Sequence, residues 1–137
     1  MSAKNSNELR LFSIRGAVCC ENTAESIKEN VELLCKKIFS ENSIDSSNSA
    51  DIVNLQFTMT PDLDALNPAT AFRKANLDFD LSKIPLFCSQ EPVVSGMLAK
   101  VIRLMITLYL PAGTIVTGSY LNGAQVLRPD LSGEKSL

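Results

Sequence analysis

At 137 residues, 45% of them hydrophobic and with a formal net charge of −2, the chain suits one compact domain over residues 1–137 with a proper core. Global disorder is excluded, and no basic run exists that would hold nucleic acid or an anionic membrane by counterion release. Histidine is absent and the four cysteines, Cys19, Cys20, Cys35 and Cys88, form no C-x-x-C pair, which removes the usual zinc sites and every Ser-His or Cys-His nucleophile system. Chemistry here must therefore run on carboxylates, arginines, hydroxyls and backbone amides, with no metal.

Residues 1–8 read as a polar leader, and MSAKNSNELR lacks the apolar core of a secretion signal, so the cytoplasm is the expected address. Leu9 to Cys20 reads as a first strand with Gly16 inside it, which marks a bulge or a close backbone approach. Asn22 is placed to cap a helix, with Glu25 at the capping-box position. Apolar residues at Ala24, Ile27, Val31, Leu34, Cys35 and Ile38 follow with helical period, and the helix should end near Asn42.

Beyond the polar connector Ser43 to Ser49, Ile52 to Thr60 reads as a second strand, stopped by Pro61. Pro68 opens a short helix that carries Arg73. Ile84 to Cys88 is a short third strand. Val93 to Leu110 suits either a buried helix or a buried strand; we divide it into a turn or short helix around Gly96 and a strand from Val101. The apolar run Val101 to Leu110, broken by Arg103, is too short to span a bilayer. Pro111 and Gly113 make a turn, Tyr120 to Leu127 returns as a last strand, and residues 129–137 form a polar tail expected to be mobile.

The sum is an α+β domain: a five-stranded, mainly antiparallel or mixed sheet covered by one long helix. Both alternating sets of residues in IVNLQFTMT and VIRLMITLYL look apolar, so the second sheet face needs a cover that one chain cannot supply. Oligomerisation is expected.

Five arginines occur: Arg10, Arg15, Arg73, Arg103 and Arg128. Arg15 and Arg103 lie inside apolar strands, a costly place for a charge unless it meets an anion. Each alone most simply pairs with an internal carboxylate such as Glu21 or Glu91. Together they point to a small di- or polyanionic ligand, since guanidinium captures carboxylates in a planar fork. Glu91 reads either as a surface loop residue or as an acceptor for a ligand hydroxyl. Cys88 and Tyr120 read by default as packed strand residues. From the residues alone the reading ends at a small α/β oligomer that binds a small anion.

Several segments carry more: SIRGAV at 13–18, TPDLDALNPATAFR at 60–73, PLFCSQE at 85–91, VIRLMITL at 101–108 and YLNGAQVLRPDL at 120–131. In this order and spacing they resemble the monofunctional α/β chorismate mutases along nearly the whole chain, and not the all-helical class of the same activity. The resemblance implies a homotrimer with a barrel-like core and active sites between subunits. It also implies rearrangement of chorismate to prephenate without a cofactor. It makes Arg15 a carboxylate binder and Arg103 the partner of the breaking ether oxygen. Tyr120 and Arg73 would help hold carboxylates, Glu91 and the Cys88 backbone or thiol would address the ring hydroxyl, and Leu127 and Arg128 would close the pocket. The chain departs from the family pattern at Asn67, where an aromatic is usual, at Thr70, where a lysine is usual, and in the longer segment NLDFDLSKI. Two rival readings remain: an imine-deaminase-like trimer of similar architecture, whose own motifs are missing here, and a non-catalytic trimer whose arginines bridge subunits.

Overall fold

In the computed structural model, which describes residues 8–132, alternating apolar side chains draw Leu9–Cys19 into strand β1. The expected polar leader falls outside the described residues except for Glu8, as do residues 133–137 of the expected mobile tail. Helix α1 spans Ala24–Glu41 and buries Ile27, Val31, Leu34, Cys35, Ile38 and Phe39, the stripe that the helical period predicts. Its N-cap is Thr23 rather than Asn22. The Thr23 hydroxyl accepts the Ser26 N–H at 3.0 Å, while the Ser26 hydroxyl accepts the Glu21 N–H at 2.9 Å. Ser26, not Glu25, thus takes the third helical position. Asn22 is occupied elsewhere: its Oδ1 accepts the N–H groups of Asp64 and Ala65, both at 2.9 Å, and ties down the loop after the second strand.

Strand β2 is Ile52–Met59, α2 is Pro68–Arg73, β3 is Leu86–Gln90, β4 is Val101–Pro111, β5 is Ser119–Leu121, and α3 is a single turn at Pro129–Ser132. The strands form one mixed sheet in the order β3-β2-β4-β1-β5. β4 lies at its centre, antiparallel to both β1 and β2. β5 and β3 add to the edges in parallel. The β1–β4 register runs unbroken from Leu9 opposite Pro111 to Cys19 opposite Val101. Even-numbered positions of both strands therefore face the same side. Ile14 and Val18 of β1 and Ile102, Leu104, Ile106 and Leu108 of β4 pack there against α1 in the main core, joined by Leu55 and Phe57 of β2. Gly16 is required in that layer. A β-carbon on it would stand 2.7 Å from Ile38 Cδ1 and 2.8 Å from the Ser119 carbonyl, so only glycine lets helix and edge strand close on β1.

The third and last strands differ most from the sequence reading. β3 starts at Leu86, two residues later than expected, because Ile84 belongs to the preceding loop and is buried in the main core. The last strand ends at Leu121 instead of Leu127. Asn122 and Gly123 both take positive φ, 54° and 104°, and turn the chain into a 3₁₀ segment at Ala124–Leu127. Residues 93–100 hold a turn at Gly96 before the strand that begins at Val101, the first of the two forms the sequence reading allowed. No helix among the described residues is long and apolar enough to cross a membrane.

Candidate active site

The odd-numbered positions of β1 and β4 face away from α1, and this puts two guanidinium groups on the open side of the sheet. Arg15 pairs with Met105 and Ala17 with Arg103, so the two arginines are diagonal neighbours on adjacent strands. β2 adds Gln56 and Thr58 to the same surface, Thr58 opposite Arg103. β5 sets Tyr120 beside Ala17. The left-handed turn at Asn122–Gly123 then folds the 3₁₀ segment over this end of the sheet, where Tyr120, Ala124, Ala17 and Val101 form a second small core with Leu127 against it. Between that flap and the arginine rows lies a cleft of about 290 Å³, lined among others by Arg15, Thr58, Arg103, Tyr120, Leu127 and Arg128.

Arg103 meets Glu91 at the rim. Its Nε donates to Glu91 Oε2 at 2.9 Å, with the glutamate side chain only 13% exposed. Among the described residues the Nη groups of Arg103 have no protein acceptor, so they remain free for a ligand. Arg128 makes a two-pronged pair with Asp130, Nε to Oδ1 at 3.2 Å and Nη2 to Oδ2 at 2.9 Å. That carboxylate, with the Tyr120 hydroxyl as a smaller contributor, holds the guanidinium above its ordinary pKa. Three arginines border the cleft, Arg103 and Arg128 each paired with a carboxylate, and among the described residues no carboxylate belongs to its lining. The arrangement is suited to an anion carrying more than one negative charge.

Of the residues singled out in the sequence, Arg15, Arg103, Tyr120, Leu127 and Arg128 meet at this cleft, and Glu91 is tied to it through Arg103. Two stand elsewhere within the chain. Arg73 turns its guanidinium onto the Leu81 carbonyl through Nη1 and onto the Ile84 carbonyl through Nη2, the latter at 2.7 Å, and clamps the long segment before β3. Cys88 pairs with Phe57 and so points to the helix side of the sheet, opposite Arg103. Burial raises its thiol pKa, and the thiol stays on the helix side of the sheet. Asn67 caps α2 by accepting the Ala69 N–H at 2.8 Å, a local reason for a polar residue at that position. Gln56 and Thr58 line the cleft without standing out in the sequence. Their signal was present: Asn54, Gln56 and Thr58 are a polar alternate set, so the expectation that IVNLQFTMT is apolar on both faces does not hold, and only the set with Leu55 and Phe57 enters the core.

A mixed five-stranded sheet under one helix thus carries, on its open side, an arginine-bordered cleft with a paired glutamate at its rim, a shape and charge suited to a small anion. Residues 11–131 match the family described as chorismate mutase type I. Chorismate mutase AroH of Bacillus subtilis (strain 168) is 38% identical over 131 residues, covering 93% of this chain and 98% of that protein. The solved structure of a chorismate mutase from Clostridium thermocellum (Cth-682) is similar with a TM-score of 0.71 at 33% identity, over 84% of this chain and 98% of that one. The chain belongs to the type I chorismate mutases. It is an isomerase that rearranges chorismate to prephenate, a step of phenylalanine and tyrosine biosynthesis.

Proposed function

We propose that the rearrangement takes place in the cleft bordered by Arg15, Arg103 and Tyr120, with Arg103 as its main electrostatic catalyst. The observation that carries this is the 2.9 Å bond from Nε of the cleft-lining Arg103 to Glu91 Oε2, which restrains the guanidinium and leaves its Nη groups without a protein acceptor among the described residues. The reaction breaks the ether C–O bond as a C–C bond forms, in one concerted shift that needs no nucleophile, metal or proton relay. The protein must hold a compact conformer and stabilise negative charge that grows on the ether oxygen. Arg103 is placed for that charge. Arg15 and Tyr120, with Arg128 beyond them, hold the carboxylates, while the unbonded oxygen of Glu91 accepts the ring hydroxyl. Leu127 closes the pocket on its apolar side.

A million-fold acceleration needs about 8 kcal/mol off the barrier, and one positioned donor supplies about 3–4 kcal/mol. Conformer selection and the carboxylate contacts supply the remainder. Two further parts belong to the same reading. The open sheet face joins two other copies in a homotrimer whose subunits complete the cleft between them, and in that assembly Arg73 or the Cys88 backbone meets ligand bound to a neighbour. The enzyme works in the cytoplasm.

Kinetics of Glu91→Ala, followed by the loss of chorismate ultraviolet absorbance, test the site. Both KM and kcat should worsen, because the ring hydroxyl loses its acceptor and Arg103 its anchor. Unchanged kinetics would remove Glu91 from the site.

A further inference from the structure

Thr58 lies near the C-terminal end of β2 on the open face, with Arg103 opposite it on β4 and Ser89 opposite it on β3. Its hydroxyl donates to Glu91 Oε2 at 2.5 Å, and the same oxygen receives Arg103 Nε at 2.9 Å. The Glu91 main chain is fastened to the same strand, its N–H donating to the Met59 carbonyl at 2.8 Å. A carboxylate only accepts, so the direction of the hydroxyl bond is fixed. Among the described residues no donor reaches Glu91 Oε1. The two donors thus saturate one oxygen and leave the other open.

We propose that Thr58 is a positioning residue for the rearrangement: its hydroxyl holds Glu91 so that Oε1 faces the ligand hydroxyl while Oε2 keeps the Arg103 guanidinium in plane. A glutamate just past a strand end has three side-chain torsions, and Arg103 alone could be satisfied by either oxygen. The short hydroxyl bond selects one arrangement before substrate arrives, which is preorganisation in the sense of a fixed second layer supporting a reacting group. The proposal rests on Glu91 being the hydroxyl acceptor. A merely structural threonine would give a different result: its loss would alter stability and leave kinetics unchanged.

The test uses the full chain in four forms, Thr58→Val, Thr58→Ser, Glu91→Ala and the Thr58→Val/Glu91→Ala double variant. Each is assayed for kcat and KM on chorismate and for its unfolding midpoint. Valine keeps the β-branched shape and deletes the donor. It should lower kcat/KM by about tenfold or more, the scale of one hydrogen bond to a charged group. Serine, which keeps the hydroxyl, should restore activity to within about threefold of the unaltered enzyme. In the Glu91→Ala background the valine substitution should change kcat/KM by less than about twofold, because the group it acts through is gone. Thr58→Ala gives the same reading if the valine variant does not fold. Unaltered kinetics in Thr58→Val alongside an impaired Glu91→Ala would overturn the proposal and leave the Glu91 assignment standing. Effects that multiply in the double variant would also overturn it. An active Glu91→Ala enzyme would instead bring down the Glu91 assignment, and the Thr58 role with it.

Discussion

Arg103 and Arg73 carry the same group into different surroundings. Arg103 projects from a strand whose other face is fully buried, and its Nε is held by a carboxylate that is itself held by Thr58. Arg73, at the end of α2, turns back onto two carbonyls of the loop before β3, where Leu81 and Ile84 are buried in the core. Its first duty in this chain is that clamp. Replacing Arg73 by methionine keeps much of the aliphatic stem and removes both bonds, which should cost about 1–3 kcal/mol of unfolding free energy in a denaturant titration. An unaltered midpoint would show that the loop needs no clamp. A rise in KM at temperatures where the variant is fully folded would report the carboxylate contact that the family resemblance implies for Arg73.

Among the elements, those with a strong period were legible in the sequence. α1 announces its stripe over Ile27, Val31, Leu34 and Ile38, and the chain gives it a single buried side. β4 was ambiguous because alternate positions such as Ile102 and Leu104 bury under α1 while Val101 and Met105 are apolar on the opposite face, so the run shows no clear alternation. The mixed, one-helix sheet followed from the count of elements. Less legible were features decided by tertiary bonds. Asn22 and Thr23 are both good caps, and Thr23 is the cap because Asn22 is held by the loop at Asp64–Ala65. The early end of β5 was written as Asn122-Gly123, a turn dipeptide hidden inside an otherwise strand-like stretch. The site followed the same division. Arg15 and Arg103 stood out as charges within apolar strands, whereas Thr58 is an ordinary strand residue until the register sets it between Arg103 and Glu91. The opposite facing of Cys88 also depends on register, because a slip of one residue reverses every side chain.

At the scale of the whole molecule, the two sheet faces are unequal. α1 covers one, while Leu9, Leu11, Tyr109 and Phe87 lie on the other at 44–69% exposure. Such a row on a sheet face is costly to leave in water and supports its burial against further copies of the chain. The shared-site reading therefore predicts a trimer at micromolar concentration in sedimentation equilibrium, and a stable monomer that is fully active would contradict it. Under the proposed mechanism the whole architecture serves to hold one positive charge against an ether oxygen whose negative charge is greater in the transition state than in bound chorismate. Only an interaction that strengthens in this way raises kcat. The most direct measurement is the kcat of an enzyme in which Arg103 is replaced by citrulline, a neutral group of the same shape that keeps hydrogen-bond donors. The predicted result is a fall in kcat of at least about 10²–10³, with a much smaller change in substrate affinity because Arg15 and Tyr120 still hold the carboxylates. A citrulline enzyme with intact assembly and near-normal kcat would contradict the electrostatic role of Arg103.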